Sequence, residues 1–281
     1  MKLTIVGVGL IGGSIALKLK NKKIVDFVYG VDQNDQHLVK AKELGIIDEA
    51  SSLENAVQNS DLIILAIPVD AARKLLPSVL DLISDHQTVM DVGSTKGGIV
   101  TTANAHKNRH RFVAFHPMWG TENSGPKSAL SDSFADRAGV ICDQKDSAPD
   151  ALKMVQRVAK MLEMNLLYMD AESHDIHTAY ISHISHITSY ALANTVLEKE
   201  KEEDTIFQLA SSGFSSTVRL AKSHPEMWVP IFKQNKENVL DVLNEHITQL
   251  RKFKSALEKD NFDYLEELIR NANKIRGILR E

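Results

Sequence analysis

The chain has 281 residues, with 33 Lys plus Arg against 37 Asp plus Glu for a net charge of −4. That length suggests two domains, and the mild acidity argues against a nucleic-acid partner, which needs a basic face. With 43% hydrophobic residues and one cysteine, Cys142, the composition excludes bulk disorder and an internal disulfide framework, and it fits a reducing, cytoplasmic setting.

No apolar run reaches the ~20 residues that cross a bilayer. The uncharged opening from Leu3 to Leu17 contains four glycines and is followed by no A-x-A-type cleavage site. Strands are predicted at 2–6, 27–31, 62–67, 89–92, 112–115, 138–142 and 166–169. Between them helices are predicted at 11–20, 36–44, 71–83, from about 96, and at 148–163. Such alternation reads as βαβ units in a parallel sheet. From 171 to 281 the strand signal is almost gone, and helices are predicted at 172–198, 204–222, 225–258 and 261–280. The charge run 199–204 reads as a solvated helix end or loop. The expected division is therefore 1–170, an α/β domain, and 171–281, an all-helical domain.

The first turn reads Gly7-Val8-Gly9-Leu10-Ile11-Gly12, a G-x-G-x-x-G between a predicted strand and a predicted helix. Gly7 permits the tight turn, Gly9 the approach of a pyrophosphate, and Gly12 close helix–strand packing. The amides of Leu10 and Ile11 open the helix and face the phosphates. Asp32 ends the second strand, 20 residues past Gly12, where a carboxylate receives ribose hydroxyls. Gln33 and Asn34 follow it rather than arginine, which favours NAD over NADP.

His116 follows a predicted strand. It is either a structural histidine or a general base at the end of the sheet where ligands sit. Ser94, in Asp91-Val92-Gly93-Ser94-Thr95-Lys96, is either a helix N-cap or a pocket residue. His174, His177, His183 and His186 are spread around one continuous helix at 100° per residue and lack the H-E-x-x-H spacing, so no metal is expected. Ser182 and His186 share a face. Arg219 is either a surface residue with a packed stem or a carboxylate ligand. Trp228 reads as packing and Cys142 as an inert buried thiol.

Taken together, Gly7–Ser14, Asp91–Lys96, His116–Glu122, His174-Asp175, Ser182–His186 and Gly213–Ala221 resemble the prephenate/arogenate dehydrogenase family of tyrosine biosynthesis. The resemblance implies a Rossmann-type domain followed by an all-α dimerisation domain, an architecture like that of 6-phosphogluconate dehydrogenase. It also implies NAD as cofactor, a homodimer, and prephenate or arogenate as substrate. On that likeness His116 accepts the substrate's hydroxyl proton. Ser94 bonds the same hydroxyl and helps orient His116, and Arg219 binds a substrate carboxylate. His174, Ser182 and His186 line the pocket, and Glu122 gates entry through an ion pair. Two places depart from the family's usual pattern: Trp119 stands where a small residue is more common, and Ser215-Ser216 where Arg-Asp is frequent. On this length neither a fused mutase nor a regulatory ACT domain is expected, and any tyrosine inhibition is expected at the active site. A related β-hydroxyacid dehydrogenase or imine reductase is the alternative. The hydroxyacid enzymes use a catalytic lysine, and none stands between Lys160 and Lys199.

Overall fold

The computed structural model describes residues 1–201 and 205–279. In chain order the first part runs β1 (Lys2–Val6), α1 (Leu10–Asn21), β2 (Phe27–Val31), α2 (Asp35–Glu43), β3 (Glu49–Ala50), α3 (Leu53–Gln58), β4 (Leu62–Leu65), α4 (Val69–Leu82) and β5 (Thr88–Asp91). It continues with α5 (Gly97–Asn104), β6 (Phe112–Pro117), β7 (Ala138–Cys142), α6 (Pro149–Met161) and β8 (Asn165–Met169). The eight strands form one sheet in the order β3-β2-β1-β4-β5-β6-β7-β8.

Period-2 alternation places Leu3, Ile5, Ile64, Val113 and Phe115 on one face, packed with Ile15 and Leu19 of α1 and Val155 and Val158 of α6. Ile63, Leu65, Val89 and Phe112 pack on the other face with Leu76 and Val79 of α4 and Ile99 of α5. A sheet covered on both faces explains why the central strands read as unbroken apolar runs.

The expectation of a wholly parallel sheet needs one correction: β6 pairs antiparallel with β7. A parallel return usually runs through a crossover helix, and residues 118–137 carry only a 3-10 turn at Pro126–Ser128. β8 then returns parallel to β7 through α6.

The helical part begins with α7 (Ala171–Thr178), a π turn (Ala179–His183) and α8 (Ile184–Glu200). It continues with α9 (Ser212–Thr217), α10 (Pro225–Gln234), α11 (Lys236–Glu258) and α12 (Phe262–Ala272). Two predicted helices are broken. Of the predicted 204–222, residue 204 lies outside the described residues and the rest forms three short pieces, Ile206–Leu209, Ser212–Thr217 and Arg219–Lys222; in the middle one Ser216 and Thr217 both turn their hydroxyls onto the Gly213 carbonyl (2.9 Å each) and compete with helix continuation. Residues 225–258 break at Asn235. Of the charge run 199–204, Lys199 and Glu200 finish α8, and residues 202–204 lie outside the described residues.

The change of pattern near 170 marks the end of the last strand. By contacts alone the chain divides into Met1–Asn235 and Lys236–Glu281. The first unit includes α7 packed on α5 and α10 packed on α4, with Trp228 and Ile231 against Val69. Among the described residues no helix is long and apolar enough to cross a membrane.

Candidate active site

The glycine turn is built as its spacing requires. Gly7 has φ +93°, and a Cβ there would stand 2.4 Å from the Ala66 carbonyl oxygen. A Cβ on Gly12 would stand 2.2 Å from the Gly7 oxygen, whereas the nearest atom to one on Gly9 is 4.0 Å away. Two glycines are thus demanded by the fold, and the third leaves open space. No side chain caps α1, so the amides of Leu10 and Ile11 open onto that space. Asp32 is engaged by the backbone: its Oδ2 accepts from Val8 N (3.1 Å) and its Oδ1 from Asn34 N (2.9 Å). His37, which sequence reasoning did not single out, brings Nδ1 to 3.8 Å from Asp32 Oδ1.

At the end of β6, His116 is buried. Its Nδ1 lies 2.8 Å from Nε2 of His174 on α7, and His174 Nδ1 lies 2.8 Å from Asp175 Oδ1. Asp175 also accepts from Lys96 N and Gly97 N, at 2.8 Å each. The first turn of α5 is therefore capped across space by α7. Ser94 is not the N-cap of α5: it sits half-buried in the loop before it, and among the described residues its hydroxyl has no hydrogen bond. Below the cluster, the fully buried Lys96 donates to Asp91 Oδ2 (2.5 Å) and to the Phe115 carbonyl (2.8 Å). Burial, His174 and the Lys96 charge hold the His116 imidazole well below its ordinary value of 6.5. Burial likewise lowers His174, against the pull of Asp175.

The π turn changes the helical arithmetic. Its extra residue sets every later side chain back by about 100°, so the 180° separation of His174 and His183 expected for one continuous helix no longer holds. His186 Nδ1 donates to the Ser182 carbonyl (3.1 Å), and the ring stacks on Trp228 with centroids 3.4 Å apart. Ser182 is half-buried beside it. His183 lies near enough to His116, His174 and Asp175 to interact with them electrostatically, and its Nδ1 receives Asn235 Nδ2 (3.1 Å); the same amide nitrogen donates to the Asp175 carbonyl (2.7 Å). No group of three His, Cys, Asp or Glu among the described residues is placed to hold a metal.

Arg219 opens a 3-10 turn (Arg219–Lys222) rather than lying in a helix. Its side chain is 53% exposed and donates to Glu122 Oε2 at 3.0 Å. Glu122 is six residues beyond His116, a tether of at most about 21 Å. A second contact, Ser124 Oγ to His224 Nε2 at 3.2 Å, holds the same loop to the same segment. Arg219 is close enough to His186 to add to the lowering of that imidazole, which burial dominates. Trp119 is taken up by the core, edge-on to Phe134 at 4.9 Å, while Ser215 and Ser216 are exposed on α9. Cys142 is buried, and burial pushes its thiol up to about 12.

Four buried imidazoles are thus held below 6.5: His116, His174, His183 and His186, with His183 lowered to about 4 by burial. The unfolded chain takes up protons first as pH falls. Stability is therefore complete above about 6.5 and is lost progressively toward pH 4, with His183 alone accounting for roughly 3 kcal/mol. Urea midpoints measured from pH 7.5 to 4.5 should fall steadily below 6.5, and constant midpoints would contradict these environments.

Residues 15–168 match the family description "Prephenate dehydrogenase, nucleotide-binding domain", and residues 170–271 match "Prephenate dehydrogenase, dimerization domain". The chain belongs to the prephenate dehydrogenase family. It is 31% identical to a prephenate dehydrogenase of Bacillus subtilis (strain 168), over 98% of this chain and 76% of that one. It is 28% identical to a cyclohexadienyl dehydrogenase of Zymomonas mobilis, over 99% and 96%. A crystal structure of prephenate dehydrogenase from Aquifex aeolicus, in complex with hydroxyphenyl propionate and NAD+, superposes with a TM-score of 0.91. It shares 31% identity and covers 100% of this chain and 98% of that one. The Rossmann-type sheet with a following helical part is thus the family's own architecture. Of the residues expected at the site, His116 and His174 form one cluster, Ser182 and His186 a second, and Arg219 and Glu122 a third. Asp175 bound to His174, Lys96 beneath His116 and Asn235 at the helix break were not expected in those places.

Proposed function

We propose that this chain catalyses the NAD-dependent oxidative decarboxylation of prephenate to 4-hydroxyphenylpyruvate and CO2. The observation that carries this reading is the arrangement of His116. Its imidazole is neutral and buried at the carboxyl end of the sheet, and its Nδ1 is engaged by His174. Nε2 is then the nitrogen left for a substrate.

The glycine turn fits a dinucleotide: Gly7 and Gly12 have no room for a side chain, and the Gly9 side is open. The amides at the start of α1 would hold the pyrophosphate, and Asp32 would hold the adenosine ribose. Bound there, NAD supplies the acceptor for the hydride leaving C4 of the substrate. His116 takes the C4 hydroxyl proton as that bond breaks, and Ser94 in the adjoining loop is the group offered to the same oxygen. The ring carboxylate departs as CO2, and its bonding pair completes the aromatic ring. Arg219 exchanges Glu122 for a substrate carboxylate, so that the ion pair seen here opens on binding. The Ser182 and His186 face closes the pocket beside it. A homodimer through the helical part is the assembly we infer, supported by the match of residues 170–271 to a dimerization domain; a cytoplasmic setting is the compartment.

Asp32→Ala is expected to weaken NAD by at least about tenfold, the value of one charge-assisted hydrogen bond. NADP should be weakened less, because the lost charge also repelled its phosphate. Titrations of both cofactors check this, and equal losses would exclude the ribose contact. The reaction itself is tested by NADH absorbance with prephenate and arogenate, each with NAD and NADP. Turnover is expected with prephenate and NAD; activity confined to arogenate would move the reading to the alanyl substrate.

A further inference from the structure

We propose that Asp175 is a positioning residue that acts through His174 to fix the tautomer in which His116 presents a bare Nε2. The inference rests on the reading of His116 as the base and goes beyond it to what makes the base usable.

The direction of every hydrogen bond in the chain is set from one end. Backbone N–H groups can only donate, and two of them, Lys96 N and Gly97 N, point at the Asp175 carboxylate. The positive end of α5 adds to the preference for an anion there. A carboxylate can only accept, so His174 Nδ1 carries the proton in its bond to Asp175 Oδ1. A neutral imidazole carries one proton, so His174 Nε2 is an acceptor. His116 Nδ1 must then be the donor across the 2.8 Å contact, and its Nε2 carries a lone pair. When Nε2 takes the substrate's proton, the Nδ1–H bond to His174 persists, and the new charge is aligned with Asp175 through one intervening ring. The chain is closed to water, since His174, Asp175 and His116 are all buried. Asn235 further pins the Asp175 backbone through its carbonyl. A reversed tautomer would leave a proton on His116 Nε2, where the substrate hydroxyl needs an acceptor.

The test uses the full-length protein. Histidine-selective 15N NMR at pH 7, with the His116 signals identified by their loss in His116→Asn, is expected to show His116 protonated on Nδ1 and bare on Nε2. A proton on His116 Nε2 in the wild type would overturn the proposal. Asp175→Ala and His174→Phe are each expected to lower kcat at least tenfold, with KM and NAD affinity changed less than about threefold. The double variant should be no slower than the worse single one, because both act through one chain. A purely structural role for Asp175 in capping α5 would instead give multiplying losses and weaker NAD binding. If Asp175→Ala fails to fold, the wild-type spectrum and His174→Phe still decide, since wild-type kcat in His174→Phe would sink the proposal. Absence of turnover in the wild type would sink the dehydrogenase reading instead, so the two failures are distinguishable.

Discussion

His116→Asn is expected to lower kcat by at least about 10²-fold while NAD binding stays intact, the range in which a general base normally contributes. Asparagine fills much of the same volume, and its amide can still donate to His174. It has no group that takes a proton at neutral pH. The wild-type pH profile should share the same origin. Burial, His174 and the Lys96 charge keep His116 deprotonated well below 6.5, so kcat/KM should be flat through neutrality and decline only on the acid side, below the ordinary histidine value. His116→Asn should remove that decline along with the rate. Steady-state kinetics from pH 5 to 9 check both, and unchanged turnover in the variant would remove His116 as the base.

Arg219→Ala is expected to raise KM for the substrate by about 30-fold, roughly 2 kcal/mol, with a smaller effect on kcat. This is the lower end of what truncating one partner of a buried charged pair costs. The low end applies because the guanidinium is half exposed when it holds Glu122, and part of any gain on binding is offset by breaking that pair. The carboxyl of Glu122 is itself held below the usual range by its own backbone amide and by Arg219, so it remains an anion, and a substrate carboxylate proposed to bind Arg219 would have to displace it. Initial rates over a range of prephenate concentrations check the split, and an unaltered KM would exclude Arg219 as the carboxylate ligand.

What could be read from the sequence was local. The glycine turn, Asp32 and the strand leading to His116 are each defined within a few residues, and β1, β2 and β7 fall at their predicted bounds. The antiparallel β7 was in principle legible, because residues 118–137 carry no helical pattern and a parallel return usually uses one. The π turn was not. One extra residue in residues 179–183 leaves no mark in composition, yet it makes the 100° arithmetic fail for every histidine after it. Asp175 was visible only as a neighbour of His174. Its partners Lys96 and Gly97 are 79 and 78 residues away, and no spacing rule links an aspartate in one helix to the start of another. Arg219 and Glu122 stand 97 residues apart; family likeness named both, and only the fold shows them bonded to each other.

The most direct measurement is a crystal structure with NAD and an unreactive substrate analogue bound together. The expected result is the analogue's C4 oxygen within about 2.6–3.2 Å of His116 Nε2, with Arg219 turned from Glu122 onto a carboxylate of the same molecule. An analogue bound with its C4 oxygen away from His116, or with the Arg219–Glu122 pair still closed over an occupied pocket, would contradict the assignment of base and carboxylate ligand.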